Sequence, residues 1–254
     1  YEIWCFLCIK QILETNLDFD MVDSHKSPLE LNDYFEYKMK DGFAGAFKFK
    51  RSDGVTARLA HEPKFTKTTK DIRSYVINQE PDIVLEITIP ASNKHSKDKQ
   101  FIWLFDAKYR IKQDLRSFDS GEDNTKNQDH VPDDAINQMH RYRDALIRMG
   151  ENNNNKKSRP VFGAFALYPG FFDQQEGKNP YSDNIKEVGI GAFALLPSQD
   201  GVFGHKWLLD FLKSQIDSIN SDKLVERLYM QDPSRIPHHG MRQVLYDDLT
   251  MTIA

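Results

Sequence analysis

The spacing of apolar and polar residues predicts a helix at the start of the chain, another in its middle and a third further on, with strands between them. Residues 1–15 carry apolar side chains around nearly the whole helical circumference, which is typical of a mostly buried helix. Residues 206–219 have the one-sided pattern of an amphipathic helix. Between these two, Asp133 or Asp134 is expected to cap a helix that runs to about Met149.

Strands are predicted where β-branched and aromatic residues accumulate between turn signals. The Asp53-Gly54 pair is a hairpin turn signal between two of them. Residues 101–108 form an almost continuous apolar run, which suits the centre of a sheet covered on both faces. The last two strands have nearly the same core sequence, and we interpret them as two central strands under the same packing demand. The predicted strands are residues 43–50, 55–60, 82–89, 101–108, 161–168 and 189–196.

The order helix, strands, helix, strand, strand, helix predicts one α/β sandwich with a central mixed β-sheet flanked by helices. We expect one domain over residues 1–230 and a C-terminal tail over residues 231–254, because no internal linker looks long enough to separate two domains. The chain starts inside the first predicted helix and has no basic leader. We therefore expect a fragment of a longer protein and not a signal peptide.

Composition narrows the class of protein further. The 254 residues are 39% hydrophobic and 28% charged, which supports a packed core and excludes global disorder. The two cysteines exclude a disulfide scaffold and favour a reduced, cytoplasmic setting. They also cannot supply the four ligands of an iron–sulfur cluster. No apolar run approaches the length that spans a bilayer, so we expect no membrane association.

Charge is distributed unevenly, although the net charge is only −4. Residues 1–34 hold 2 basic and 7 acidic side chains, residues 35–73 hold 10 basic and 5 acidic, and residues 91–112 hold 6 basic and 2 acidic. This excludes a globally basic nucleic-acid binder but allows a local basic face that contacts phosphates. A merely solvated lysine-rich surface explains the same distribution of charge equally well.

Charged residues occur at the ends of two predicted strands, in an otherwise apolar setting. Asp82 begins one strand, and Asp106 and Lys108 lie two apart near the end of the next, so they share a face. Charges at the end of a buried strand need partners, because unpaired burial is costly. If the two strands form a hairpin joined by residues 90–100, Asp82 and Asp106 converge at one end of the sheet.

Two convergent carboxylates and a lysine are the parts of a Mg²⁺-dependent phosphodiesterase, in which hard oxygen ligands hold the ion and the ion activates water. A structural Asp–Lys ion pair is the alternative, and the short pattern alone favours it. The next helix changes that balance. There Gln138 and Tyr142 lie four apart and share one helix face, with Asp134 one turn earlier.

The ordered set of motifs resembles the PD-(D/E)XK nuclease superfamily, in its RecB-like branch with a Gln-x-x-x-Tyr motif. It is most similar to the restriction-associated McrC-like nucleases, the partners of the GTP-driven McrB motor. The resemblance implies a restriction-endonuclease-like fold and a metal-dependent DNA endonuclease of a restriction or phage-defence system. The residues that carry it are 1–4, 81–86, 105–110, 134–145 and 167–170.

The resemblance also implies roles for individual residues. Asp82, Asp106 and the Ala107 carbonyl would hold Mg²⁺, for which Mn²⁺ can substitute. Glu2, on the first helix, would help to complete the metal site. Lys108 would position the attacking water and offset charge in the transition state.

The resemblance also covers two residues of the middle helix, and it differs from many members of the superfamily at one position. Gln138 and Tyr142 would brace the site or contact the DNA backbone. Asp106 stands where many members of the superfamily carry Glu, but a shorter arm still ligates Mg²⁺.

The expected partners are DNA and a motor protein. No Walker loop is present in the sequence, so any nucleotide-driven motor would be a separate, McrB-like AAA+ protein. Self-association is left open. Two alternative functions also stay open: a nuclease acting on RNA or on single-stranded ends, and a non-catalytic nucleic-acid-binding module.

Overall fold

The computed structural model of the protein describes residues 1–22, 29–31, 37–39, 42–90, 98–110, 130–149, 157–170, 174–175, 177–196 and 204–216. The predicted tail over residues 231–254, the predicted end of the last helix at residues 217–219 and most of the segment joining the predicted hairpin lie outside these described residues.

The described residues form four helices and twelve strands. The helices are α1 (Glu2–Asn16), α2 (Asp133–Ala145), α3 (Ser182–Val188) and α4 (Lys206–Ile216). The strands are β1 (Asp20–Met21), β2 (Leu29–Leu31), β3 (Tyr37–Met39), β4 (Phe47–Lys50), β5 (Thr56–His61), β6 (Ile72–Ser74), β7 (Ile83–Ile89), β8 (Lys99–Ala107), β9 (Leu146–Met149), β10 (Lys157–Ser158), β11 (Val161–Tyr168) and β12 (Ile190–Ala194).

Seven of these strands form the central sheet, in the order β1-β4-β5-β7-β8-β11-β12. The pairs from β1 to β8 are antiparallel, whereas β8 with β11 and β11 with β12 are parallel. The α/β fold with a central mixed sheet is therefore confirmed. So is the β7–β8 hairpin, which pairs Ile83 with Phe105 and so brings the start of one strand beside the end of the other.

Helices cover both faces of the central sheet. On one face, Phe6 of α1 packs 5.7 Å from Phe47, and Phe211 of α4 packs 5.0 Å from Phe165. On the other face, α2 packs against β8 and β11 through its buried residues, which include Met139. Strand residues alternate between these two helix layers, which is why β8 is apolar over most of its length.

Two details of the middle helix differ from the prediction. It ends at Ala145, and Leu146–Met149 continues as β9, because this segment pairs with β6 and β10 in a second, three-stranded sheet. Neither Asp133 nor Asp134 caps the helix. Both lie in its first turn after Pro132, where their charges favour the positive end of the helix dipole.

The repeated core sequence occurs on adjacent strands, but only one of them is interior to the described sheet. β11 and β12 pair in parallel, with Leu167 opposite Phe193. The prediction of two central strands is therefore wrong for β12, which is an edge strand of the described sheet. Its residues are nevertheless all buried, because helices and loop residues pack over both of its faces.

A left-handed glycine connects α3 to β12. Gly189 has φ of +64° and donates its N–H to the Ile185 carbonyl at 3.0 Å. It also lies against β11, so that a Cβ atom at this position would be 2.4 Å from the Phe162 carbonyl oxygen. Both the backbone conformation and the close approach require glycine here.

We predict that Gly189→Ala lowers the free energy of unfolding by about 2–3 kcal/mol, because backbone strain and a clash with main chain add together. Gly42→Ala is the matched control, since Gly42 has φ of +75° but a Cβ atom added there would have no described atom within 4 Å. It should lose only about 1 kcal/mol. Urea denaturation at constant m-value measures both, and equal losses would show that the contact with Phe162 is irrelevant.

Candidate active site

The charged strand ends meet at one end of the central sheet. Asp82 precedes β7, and Asp106 is the penultimate residue of β8. Because Ile83 pairs with Phe105, the two carboxylates occupy the next positions of the hairpin. The Ala107 N–H donates to Asp82 Oδ2 at 2.7 Å, which ties one acid to the strand that carries the other.

The motif helix braces Asp106, which is only 1% exposed. Tyr142 Oη lies 3.1 Å from Asp106 Oδ1 and 3.1 Å from the Glu80 carbonyl oxygen. The Gln138 amide donates to Tyr142 Oη at 2.7 Å and lies 3.4 Å from Asp106 Oδ1. The two helix residues thus hold one oxygen of the acid in place, and its other oxygen, Oδ2, pairs with Lys108.

Lys108 lies on the solvent side of Asp106. Its ammonium group pairs with Asp106 Oδ2, and its side chain is 27% exposed, so it lies between the buried acid and solvent. The Lys108 N–H donates to the Leu167 carbonyl at 2.7 Å, which extends the pairing with β11 one residue past the end of β8. The main chain therefore fixes the direction in which the lysine leaves the sheet.

Glu2 reaches the same region from the first turn of α1, but it contacts a different group. Its Oε1 atom lies 2.8 Å from His61 Nε2. Sequence reasoning misses His61, a buried residue at the end of β5. Only the β5–β7 register, which sets His61 opposite Ile83, brings it to this end of the sheet.

Burial and like charge act together on the acids. Burial, and then the charge of Asp106, raise the pKa of Asp82 to about 7, with a smaller contribution from Glu2. The Ala107 N–H and the Lys108 charge oppose this rise. Burial and the charge of Asp106 also raise the pKa of Tyr142, so its hydroxyl stays protonated and can donate to the acid.

The donor set suits a hard divalent cation. Asp106 Oδ2 and Glu2 Oε1 are buried oxygens that, within the described part of the chain, have no well-aligned hydrogen bond. The same part holds no group of three or more His, Cys, Asp or Glu side chains arranged around one point. Two carboxylates, Asp82 and Asp106, are what Mg²⁺ commonly takes from protein, with water and phosphate oxygens completing its octahedron. The residues present therefore fit this ion.

A third acid on the same strand face has another role. Glu86 follows Asp82 by four residues, but it is buried further along β7 and pairs with Arg58 and Gln100. Arg148 of β9 contacts Gln100 in turn, so this network links the central sheet to the three-stranded sheet. Glu86 is accordingly part of the sheet packing and not of the cluster around Asp106.

The comparisons with known proteins bear on these residues. A sequence model for the PD-(D/E)XK nuclease superfamily matches residues 1–173 of the 254. This stretch includes all the site residues described above, namely Glu2, His61, Asp82, Asp106, Lys108, Gln138 and Tyr142. No curated protein and no solved structure is significantly similar to the chain. Among the described helices, none combines the length and the apolar character needed to cross a membrane.

We predict that Asp82→Asn stabilises the metal-free protein at high pH. A carboxyl whose pKa is about 7 in the fold and near 4 when unfolded makes the fold less stable as pH rises from about 4 to 7. Asparagine removes this penalty and keeps an oxygen for the Ala107 N–H. In chelator, the gain in melting temperature should therefore be larger at pH 8 than at pH 5, by about 2–4 °C per kcal/mol relieved.

Asp53→Asn is a control for which we expect a change of melting temperature of the opposite sign. Its hydrogen bonds from Arg51 lower the pKa of this carboxyl, so its ionised form stabilises the fold. Asp53→Asn should lower the melting temperature at pH 8 and have a smaller effect at the low pH where both forms are neutral. An equal gain at pH 5 and pH 8 for Asp82→Asn would contradict the electrostatic explanation.

Proposed function

The chain belongs to the PD-(D/E)XK nuclease superfamily, and from this membership we propose that it is a metal-dependent DNA endonuclease of a restriction or phage-defence system. Membership implies a hydrolytic nuclease. The choice of DNA as substrate, the dependence on Mg²⁺ and the closeness to RecB-like and McrC-like nucleases are parts of the proposal, supported by the order of the motifs along the sequence.

One observation carries the catalytic part of the proposal, namely the meeting of Asp82, Asp106 and Lys108 at one sheet end. A purely structural ion pair needs only Asp106 and Lys108. Asp82 adds a second, partly buried acid whose ionisation is disfavoured beside the first, and this arrangement does not stabilise the fold. Perturbed acids in such a setting are typical of functional sites.

In this proposal the acidic residues bind the metal. Asp82, Asp106 and the Ala107 carbonyl would hold Mg²⁺, and Glu2 would contribute from α1. The ion would lower the pKa of a bound water and stabilise charge on the phosphate.

The remaining tasks belong to side chains around the acids. Lys108 would orient the attacking water and offset negative charge in the transition state. Gln138 and Tyr142 keep Asp106 in one orientation through the hydrogen bonds described above.

The DNA backbone would run over the β4 and β5 part of the sheet, beside the area that α2 covers over β8 and β11. Lys48 and Lys50 are exposed on β4, where they pair with Arg58 and Thr56 of β5. By strand alternation these side chains lie on the same face as Glu86 and Asp106. We propose that this basic part of the sheet, with lysines elsewhere in residues 38–73 and 91–100, contacts phosphates and that bases are read elsewhere.

A separate motor is the remaining part of the proposal. The similarity to McrC-like nucleases suggests a McrB-like AAA+ partner that uses nucleotide to bring the nuclease to its target. A tethered nuclease gains effective concentration at its site without any new contact to DNA.

We predict that Asp106→Asn abolishes Mg²⁺- and Mn²⁺-dependent nicking of plasmid while the protein stays folded, because asparagine keeps the volume and an oxygen for Tyr142 but loses the charge. Lys108→Ala should lower the single-turnover rate by roughly 10²-fold or more. Its DNA affinity should change little, since one positive charge among many contributes a small part of phosphate binding.

Two exposed residues on other parts of the surface serve as controls for this experiment. Asp144→Asn and Lys213→Ala change the same charges at positions outside the cluster, and both should leave cleavage unchanged. Near-normal cleavage by Asp106→Asn would refute the metal-site assignment. A large loss of affinity in Lys108→Ala with an unchanged single-turnover rate would make Lys108 a backbone contact only.

We further predict that this chain alone, with Mg²⁺, nicks plasmid slowly and with little sequence preference. A nucleotide-driven partner should raise the rate by about 10²-fold or more through effective concentration. Titration of the chain on supercoiled plasmid, followed by end mapping, measures both properties. Efficient cleavage at one defined sequence without partner or nucleotide would refute the motor-dependent interpretation.

A further inference from the structure

An exposed aromatic residue directly follows Lys108 of the candidate active site in the sequence. Tyr109 follows Lys108 and is 77% exposed, an unusual state for a tyrosine. Neither the metal site nor the bracing of Asp106 uses it. Because its neighbour in the sequence pairs with Asp106, the ring lies within one residue of the groups that would handle the scissile phosphate.

Other aromatic rings support Tyr109 from behind. Its ring centroid is 5.5 Å from that of Tyr1, at an interplanar angle of 57°. Tyr1 in turn stacks on Trp4 at 5.9 Å and 23°, and its hydroxyl donates to the Leu195 carbonyl at 3.0 Å. The ring behind Tyr109 is therefore held by a stacking contact and a hydrogen bond, while much of Tyr109 itself remains open to solvent.

Positive charge flanks this ring in the sequence. Lys108 precedes Tyr109, and the exposed Arg110 follows it. Proteins that bind single strands combine basic side chains, which contact phosphates, with aromatic rings on which bases stack, and residues 108–110 supply both kinds of group. A base within an intact duplex cannot reach such a ring, because its two faces are already stacked on its neighbours.

We propose that Tyr109 is a stacking platform for an unpaired nucleobase next to the scissile phosphate. The inference rests on the proposed nuclease function and deepens it, because it names the substrate class: DNA with at least one unpaired nucleotide at the cut, such as a fork, a frayed end or an extruded base. Stacking depends on the ring and not on the hydroxyl, so phenylalanine at this position retains the function.

The test uses the whole chain in chelator, so that binding is measured without cleavage. The probes are a forked DNA with 2-aminopurine at successive positions of its unpaired arm and a fully paired duplex of the same sequence. Wild-type protein should quench the fluorescence of 2-aminopurine at one or two adjacent positions of the arm. Tyr109→Ala should lose this quenching and bind the fork about 5- to 100-fold more weakly, with unchanged affinity for the duplex. Tyr109→Phe should behave as wild type.

Tyr75→Ala is the matched control, since Tyr75 is also exposed but contacts Met149 of β9, in the three-stranded sheet. It should leave quenching and both affinities unchanged. Equal losses of fork and duplex affinity in Tyr109→Ala would overturn the proposal. So would a change of hydrodynamic mass in that variant with unchanged quenching, which would make the ring a protein contact.

The failure of this inference can be told apart from failure of the nuclease function. If Asp106→Asn still cleaves DNA, the nuclease site is wrong whatever Tyr109 does. If Asp106→Asn is inactive and Tyr109→Ala binds the fork as wild type does, only the stacking platform is wrong.

Discussion

Two carboxylates placed side by side at a largely buried end of a sheet are the constraint on which the rest of this structure depends. Burial and like charge disfavour ionisation of the pair, and the pKa of about 7 for Asp82 reflects that cost. Each neighbour offsets part of it. The Ala107 N–H binds Asp82, Tyr142 binds Asp106, and Lys108 supplies the opposite charge. Removing any one of these partners would leave the negative charge of the acids less compensated.

The apolar core fixes the positions of the two acids relative to each other. β8 lies between β7 and β11, so its end can move only if both ladders move with it. Phe105 and Phe165 pack together on the face opposite Asp106, with Phe211 of α4 behind them. The face that carries Asp106 is closed by α2. Stability and chemistry are thus coupled, because the two acids stay together only while the core holds both strands in place.

Local signals in the sequence are enough to predict α1, the α/β class and the β7–β8 hairpin, and hence the meeting of Asp82 and Asp106, because alternation and apolar runs extend over neighbouring residues. Interactions between distant segments are harder to predict. The 146–149 segment has a helix-compatible pattern but is extended, since it pairs with β6. His61 reaches this end of the sheet only because of the β5–β7 register. Glu2 contacts His61 there. The edge position of β12 likewise depends on strand order, which no local pattern encodes.

The hairpin that carries the two acids also makes the geometry of the site independent of the length of the loop that joins β7 and β8. The pairs run from Ile83 with Phe105 at the site to Ile89 with Lys99 at the far end, a distance of about 20 Å at roughly 3.3 Å per residue. The register between the strands is set by their buried faces, because a slip by one residue would turn every side chain to the opposite face. Insertions or deletions between Ile89 and Lys99 can therefore accumulate during evolution without displacing either acid. Homologous chains should differ in length there while the distance between the two carboxylates stays the same.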